Sequence, residues 1–97
     1  MLELRPSCEH CNKALPPAST EARICSFECT FCAACVDGVL SNVCPNCGGG
    51  FVPRPVRPAA KLTGSNAAST TVKHRPVNLS EHAARVARLG AIAPEKR

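Results

Sequence analysis

The sequence predicts a small, metal-stabilised α/β domain over residues 1–58, followed by a basic, mostly disordered extension over residues 59–97. Three observations carry that expectation. All eight cysteines lie between Cys8 and Cys47. From Phe51 onward, proline, arginine and small polar residues replace them. A segment of about 50 residues also buries too little apolar surface to offset its conformational entropy without staples. The chain has three phenylalanines and neither tryptophan nor tyrosine, so the cysteines are the available staples.

The elements follow in order. Leu2 to Leu15 contains the first Cys-x-x-Cys, Cys8-Glu9-His10-Cys11, and ends at Leu15-Pro16-Pro17. Two prolines and then Ala-Ser-Thr mark an exposed loop. Residues 22–27 alternate as a short strand, with Ile24 on one face and Cys25 and Phe27 on the other. Residues 31–40 predict a short helix that offers Ala33, Ala34, Val36 and Leu40 for packing, limited to about two turns by Gly38. Residues 44–50, CPNCGGG, form a turn in which proline fixes one torsion and the glycines accept positive φ. FVPRPVRPAA then favours extended polyproline II. KLTGSNAASTTVKHRP is small, polar and without period, a signature of disorder. Residues 79–89 carry helix signals: Asn78 or Ser80 as cap, Glu81 in the first turn, Arg85 and Arg88 late, and Gly90 as a stop. Leu79, Ala83, Val86 and Leu89 give that helix a narrow apolar stripe. A helix this short is marginal in water and is expected to fray unless something binds it.

The cysteines are spaced Cys8-x2-Cys11-x13-Cys25-x3-Cys29-x2-Cys32-x2-Cys35-x8-Cys44-x2-Cys47. Two intervening residues let a tight knuckle aim both sulfurs at one tetrahedral ion about 2.3 Å away. Four pairs supply two Cys₄ shells, and the expected cofactor is Zn²⁺, two ions. A full thiolate shell leaves no open position for water or substrate, so both sites read as structural. Two pairings fit the spacing. An interleaved one joins Cys8, Cys11, Cys32 and Cys35, and separately Cys25, Cys29, Cys44 and Cys47. A sequential one joins the first four cysteines and then the last four. Disulfides are disfavoured because the N-terminus, MLELRPSCEH, has no basic region followed by an apolar run and so is not a secretory signal. Met1 is read as a natural start, and the chain is expected to be cytoplasmic, where thiols stay reduced. Iron–sulfur ligation is disfavoured because the common ferredoxin spacings do not match, and a thioredoxin-like context for a redox pair is absent. No stretch approaches the length needed to cross a bilayer, so no membrane is expected as partner.

Order and spacing resemble the RING finger cross-brace, including its proline inside the last pair, Cys44-Pro45-Asn46-Cys47. Cys29 stands where that family usually has histidine. The resemblance implies the interleaved pairing, a small hairpin and a short helix after Cys35, in a RING-like or treble-clef zinc domain. The words LELRPSCEHCNKALPP, EARICSFECTFCAACVDGVL and VCPNCGGGFVPRPVRP further resemble a bacterial family of short cysteine-rich proteins catalogued as a domain of unknown function. That likeness covers residues 1–58, implies a bacterial cytoplasmic protein and supports zinc. RING ligases grip a carrier enzyme through an apolar groove, for which this chain offers Glu9-His10, Val43 and Gly48. Two of those three features are missing, so a ligase-like adaptor is the least favoured function.

The net charge of +5 is unevenly placed. Residues 1–50 carry three basic against five acidic side chains, net −2, and residues 51–97 carry nine against two, net +7. Arg54, Arg57, Lys61, Lys73, Arg75, Arg85 and Arg88 offer phosphate contacts between residues 54 and 88. They are thinly spread and lack aromatic platforms for base stacking, so nucleic-acid binding is the alternative reading. His10, His74 and His82 are ligands by type only, with eight cysteines already present. No Ser-His-Asp set, carboxylate pair or phosphate loop appears. The chain is therefore expected to be no enzyme but a protein-interaction module, with loops 12–24 and 36–43 recognising a protein partner.

Overall fold

The computed structural model describes residues 1–97. Three short strands, β1 (Ala22–Ile24), β2 (Thr30–Cys32) and β3 (Val52–Pro53), make an antiparallel sheet in the order β2-β1-β3. Ala22 faces Cys32 and Ile24 faces Thr30, while Ile24 also pairs with Val52 on the other side. The strand expected over 22–27 is shorter because the hairpin turns at Cys25. The Glu28 N–H donates to the Cys25 carbonyl at 3.0 Å, with Glu28 at φ 65°. The polyproline stretch contributes an unexpected edge strand, a place where Pro53 is tolerated because its missing N–H faces away from the ladder.

Helix α1 (Ala33–Cys35) runs directly out of β2 and widens into a π-helical turn over Val36–Leu40. These are the two turns the sequence predicts, beginning two residues later because Phe31 and Cys32 belong to the sheet. Ser41 (φ 51°) and Asn42 (φ 57°) then take left-handed conformations and reverse the chain. That reversal delivers Val43 and Cys44 into the interior, both fully buried. The core gathers Leu15, Ala22, Phe31, Val36 and Leu40 around the cysteines, and Phe31 meets Phe51 edge-to-face at 5.5 Å. Only 19 of 97 residues are buried and six of those are cysteines, so apolar packing alone does not explain the fold.

The expectation of a disordered tail is corrected. Residues 59–97 run back across the domain and end in helix α2 (Leu79–Leu89), at the bounds the sequence predicts. Asn78 caps α2 by accepting from the Glu81 N–H at 3.0 Å. What holds the extended part is mostly polar and so invisible to a search for apolar periodicity. Ser69 N donates to the Leu4 carbonyl at 3.0 Å, Arg75 N to the Glu9 carbonyl at 2.8 Å, and Val77 N to His10 Nδ1 at 2.9 Å.

Arg54 shows the same principle inside the domain. Its side chain, offered by sequence as a phosphate contact, is 4% exposed. Its guanidinium donates to the carbonyls of Arg5 (2.9 Å), Leu15 (3.2 Å) and Pro16 (3.1 Å). Burial lowers the pKa of Arg54, yet three acceptors keep its hydrogen-bonding capacity satisfied. Arg57 likewise donates to Asn66 and Leu2 carbonyls at 2.9 and 2.8 Å. Removing Arg54 leaves the Arg5 and Leu15 carbonyls without their donor, while Pro16 still accepts from Ser19 N. Arg54→Ala is therefore expected to cost about 2–4 kcal/mol, and Arg54→Lys to recover little, because one ammonium does not span three acceptors. Urea unfolding monitored by circular dichroism checks this; an unchanged midpoint for Arg54→Ala would mean the guanidinium is not a structural tie.

Candidate metal centre

The first and the last Cys-x-x-Cys fold in one way. In the first knuckle Asn12 N donates to the Cys8 carbonyl at 3.0 Å and Cys8 N to the Lys13 carbonyl at 2.9 Å. In the last, Gly48 N donates to the Cys44 carbonyl and Cys44 N to the Gly49 carbonyl, both at 2.8 Å. The residue after each pair is left-handed, Asn12 at φ 62° and Gly48 at φ 79°. Asparagine and glycine are the residues that enter this region at least cost. A short sequence rule, Cys-x-x-Cys followed by a left-handed residue, thus aims two sulfurs at one point.

The structure brings the pairs together in the interleaved way and not the sequential one. The sulfurs of Cys8, Cys11, Cys32 and Cys35 lie within 4.8 Å of one another, and so do those of Cys25, Cys44 and Cys47. The first pair thus meets the third, which β2 and the start of α1 carry. Cys11 and Cys32 sulfurs are 3.7 Å apart. A tetrahedral ion with metal–sulfur bonds of about 2.3 Å requires a sulfur–sulfur edge of about 3.8 Å, so this spacing suits an ion at the centre. All eight cysteines are free thiols. Cys29 lies beside the Cys25 and Cys44 thiols and the Asn46 amide, outside the mutual spacing of the other three. Both groups can hold a metal ion. Cys11 and Cys47 are the exposed members; the other six are buried.

Burial pushes the Cys8, Cys29, Cys35 and Cys44 thiols up, and neighbouring thiols add to the rise at each. At Cys11 slight burial works upward, but hydrogen bonds from the Lys13 backbone and from the other three thiols of its group outweigh it and draw the thiol down. Backbone N–H groups also point at sulfur: Phe27 N at Cys25 and Gly49 N at Cys47, both 3.4 Å. Such donors stabilise thiolate at the sites where a metal would require it.

Sequence reasoning missed the residue that ties the two sites together. Glu9 lies between the ligands of the first knuckle and is 2% exposed. Its Oε2 accepts from Thr30 N at 2.8 Å and from Arg5 Nη1 at 3.1 Å. Its Oε1 accepts from Asn46 Nδ2, inside the last knuckle, at 3.5 Å, with Arg75 Nη2 at 3.8 Å. One carboxylate therefore links the first site, the central hairpin, the second site and the tail. The signal was present: an acid placed between two prospective thiolates needs a compensating cation, and Arg5 stands four residues before it. His10, a ligand by type only, accepts from Val77 N and so orders the tail. His82, which showed no partners in sequence, is 2% exposed. His82 Nε2 donates to the Leu40 carbonyl at 2.9 Å, and Nδ1 accepts from Arg85 at 2.8 Å; the partners set that tautomer. His74 Nε2 lies 3.2 Å from the His10 carbonyl, away from both cysteine groups.

A family model described as "Protein of unknown function (DUF1272)" matches residues 1–57. The chain belongs to that family. It is also 61% identical over 62 residues to "Uncharacterized protein R02474" of Rhizobium meliloti (strain 1021), which covers 64% of this chain and 74% of that protein. No solved structure matches. No helix is long and apolar enough to cross a membrane.

The Glu9 linkage predicts an asymmetry between two carboxylates. Glu9→Ala leaves Thr30 N and a half-buried Arg5 without their acceptor and is expected to cost about 2–4 kcal/mol. Glu21→Ala, which removes only a surface pair with Lys13, is expected to change stability by less than about 1 kcal/mol. Thermal melts of the two variants check this; equal shifts would remove Glu9 from its linking role.

Proposed function

We propose that this member of the family is a non-catalytic protein-interaction module whose shape is fixed by two structural Zn²⁺ ions. The observation that carries the reading is the pair of buried thiol groups, one of them a complete set of four within 4.8 Å. Cys8, Cys11, Cys32 and Cys35 would hold one ion; Cys25, Cys44 and Cys47 with the adjacent Cys29 would hold the other. Sulfur-only donor sets suit zinc, and zinc bound this way supplies folding free energy rather than a reactive water. The crossing of the first pair with the third, and of the second with the fourth, supports a RING-like cross-brace arrangement. Four thiols at each site leave no position for substrate, which favours binding over catalysis.

The reading of the tail as a nucleic-acid arm has fewer cations to draw on than the sequence suggests. Arg54 and Arg57 are committed to main-chain carbonyls, and Arg85 to His82. Lys61, Lys73, Arg75 and Arg88 remain, which is a sparse set for phosphate tracking.

Elemental analysis of protein purified under reducing conditions should find about two zinc ions per chain, and a strong chelator should unfold it. The pH dependence has a definite sign. Thiols held protonated by burial must release protons when metal binds, so loading acidifies a weakly buffered solution and affinity falls as pH falls. Protein that carries no metal and keeps its circular dichroism in chelator would end this reading.

A further inference from the structure

The tail sits on a face of the domain where it supplies donors to three main-chain carbonyls, one of which, that of Leu40, also accepts from Val43 N at 3.0 Å. Leu40, Asn42 and Gly48 each turn a main-chain carbonyl toward it. His82 Nε2 occupies the Leu40 carbonyl at 2.9 Å, and Arg97 Nη1 occupies those of Asn42 and Gly48 at 2.9 and 3.0 Å. Between these polar points the surface accepts apolar side chains at close range. A Cβ on Gly48 would lie 3.1 Å from Leu89 Cδ1, and one on Gly50 would lie 2.9 Å from Pro94. Both glycines therefore leave room that the tail now fills.

The filling is incomplete. A cavity of about 380 Å³ remains between α2 and residues 38–41, lined by Val39, Leu79, His82, Ala83 and Val86. Leu79 is 62% exposed, and Ala83, itself exposed at the rim, contributes only a methyl group to this groove. A helix with larger apolar side chains there would bury more surface. Charge also selects the occupant. Residues 1–50 are net −2, and residues 51–97 are net +7. Filled thiolate shells around two divalent ions would add about four further negative charges to the domain.

We propose that the face formed by Val36–Leu40 and the loop from Asn42 to Gly50 is the recognition surface of the metal domain. It takes a basic amphipathic helix of a partner protein, and α2 with Arg97 occupies it in the free chain as a tethered competitor. This rests on the interaction-module reading above and names its partner class and its regulation. A tethered segment competes at an effective concentration in the millimolar range, so an outside helix gains access only by fitting better or by meeting a loosened tail. Protein partners that bind by laying a helix in a groove use the i, i+4, i+7 spacing of anchors that His82, Val86 and Leu89 show.

The test uses metal-loaded full-length protein and a fluorescein-labelled synthetic peptide with the sequence of residues 75–97. Wild type should bind this peptide at least about ten-fold more weakly than the double variant His82→Ala/Arg97→Ala, whose own tail lacks its two anchors. Binding to the variant should weaken as salt rises. A peptide carrying the same two alanines should fail to bind, and one with Ala83→Leu should bind about five-fold tighter by filling the cavity. A second form replaces the exposed Gly64–Asn66 turn with a protease site and is cleaved to free the tail. Equal peptide binding by wild type and both altered forms would overturn the proposal, as would unfolding of the cleaved form once its tail is removed. A wild-type dimer with exchanged tails would also overturn it, making the occupant a second copy. Zinc is measured in every sample. Protein without metal overturns the module reading and this one with it, whereas metal-loaded protein that ignores the peptide overturns this proposal alone.

Discussion

Four sulfurs crowded within 4.8 Å cannot all ionise unless a cation stands among them, and the rest of the fold is arranged around that constraint. Burial, with the neighbouring thiols adding to it, pushes the Cys8, Cys35 and Cys44 thiols up. The same burial makes them the centre of the core, since the cysteines outnumber any other residue type in the interior. A domain with one aromatic pair and a few aliphatic side chains has little else to gather around. The first and last knuckles answer this with backbone geometry: each fixes two sulfurs through a left-handed residue and two main-chain hydrogen bonds, so little side-chain entropy is lost in aiming them.

Interleaving already joins the two sites through the β1–β2 hairpin, and Glu9 adds a polar tie between their knuckles. Its oxygens meet groups from the hairpin, the N-terminal segment and the last knuckle. A buried charge is a poor source of net stability, yet once its partners surround it, displacing any of them leaves an uncompensated group. Glu9 therefore acts on specificity: it favours the interleaved arrangement, in which the first and last knuckles stand side by side. Arg54 does a related task at the opposite end of the charge scale by donating to the carbonyls of Arg5 and Leu15, which the irregular backbone leaves open, and to that of Pro16.

Much of this was legible in the sequence. The cysteine spacing limited the pairings to two, and the cap, acidic first turn and glycine stop around Leu79–Leu89 gave α2 its bounds. The short helix after β2 was visible from Ala33, Val36 and Leu40, though its widening into a π turn was not. What escaped were interactions without a periodic signature. A glutamate, an arginine or a histidine reads as a surface group until its partners are known, and each of Glu9, Arg54 and His82 has one at least 21 residues away: Thr30, Leu15 and Leu40. The tail escaped for the same reason. Its extended part docks through backbone hydrogen bonds and isolated side chains, for which composition gives no warning.

The tail's placement also explains why a basic extension belongs on an acidic domain. Hydrogen bonds from Arg5 and then Ser69 hold the Glu3 carboxyl below its ordinary value, so one of those acidic groups already stabilises its charge partly through the tail. Arg75 reaches toward Glu9, and Arg97 spans two knuckle-side carbonyls. Such contacts are numerous, polar and each modest, so none fixes the tail as a buried apolar helix would. α2 places one fully buried side chain against the domain, a histidine, and leaves alanine where a larger residue would fit. A segment held by many weak, charge-assisted contacts stays ordered in the free protein and yields to a ligand that matches the charge and fills the space better. The domain's rigidity comes from its sulfur sites, and its adaptability lies in what covers them.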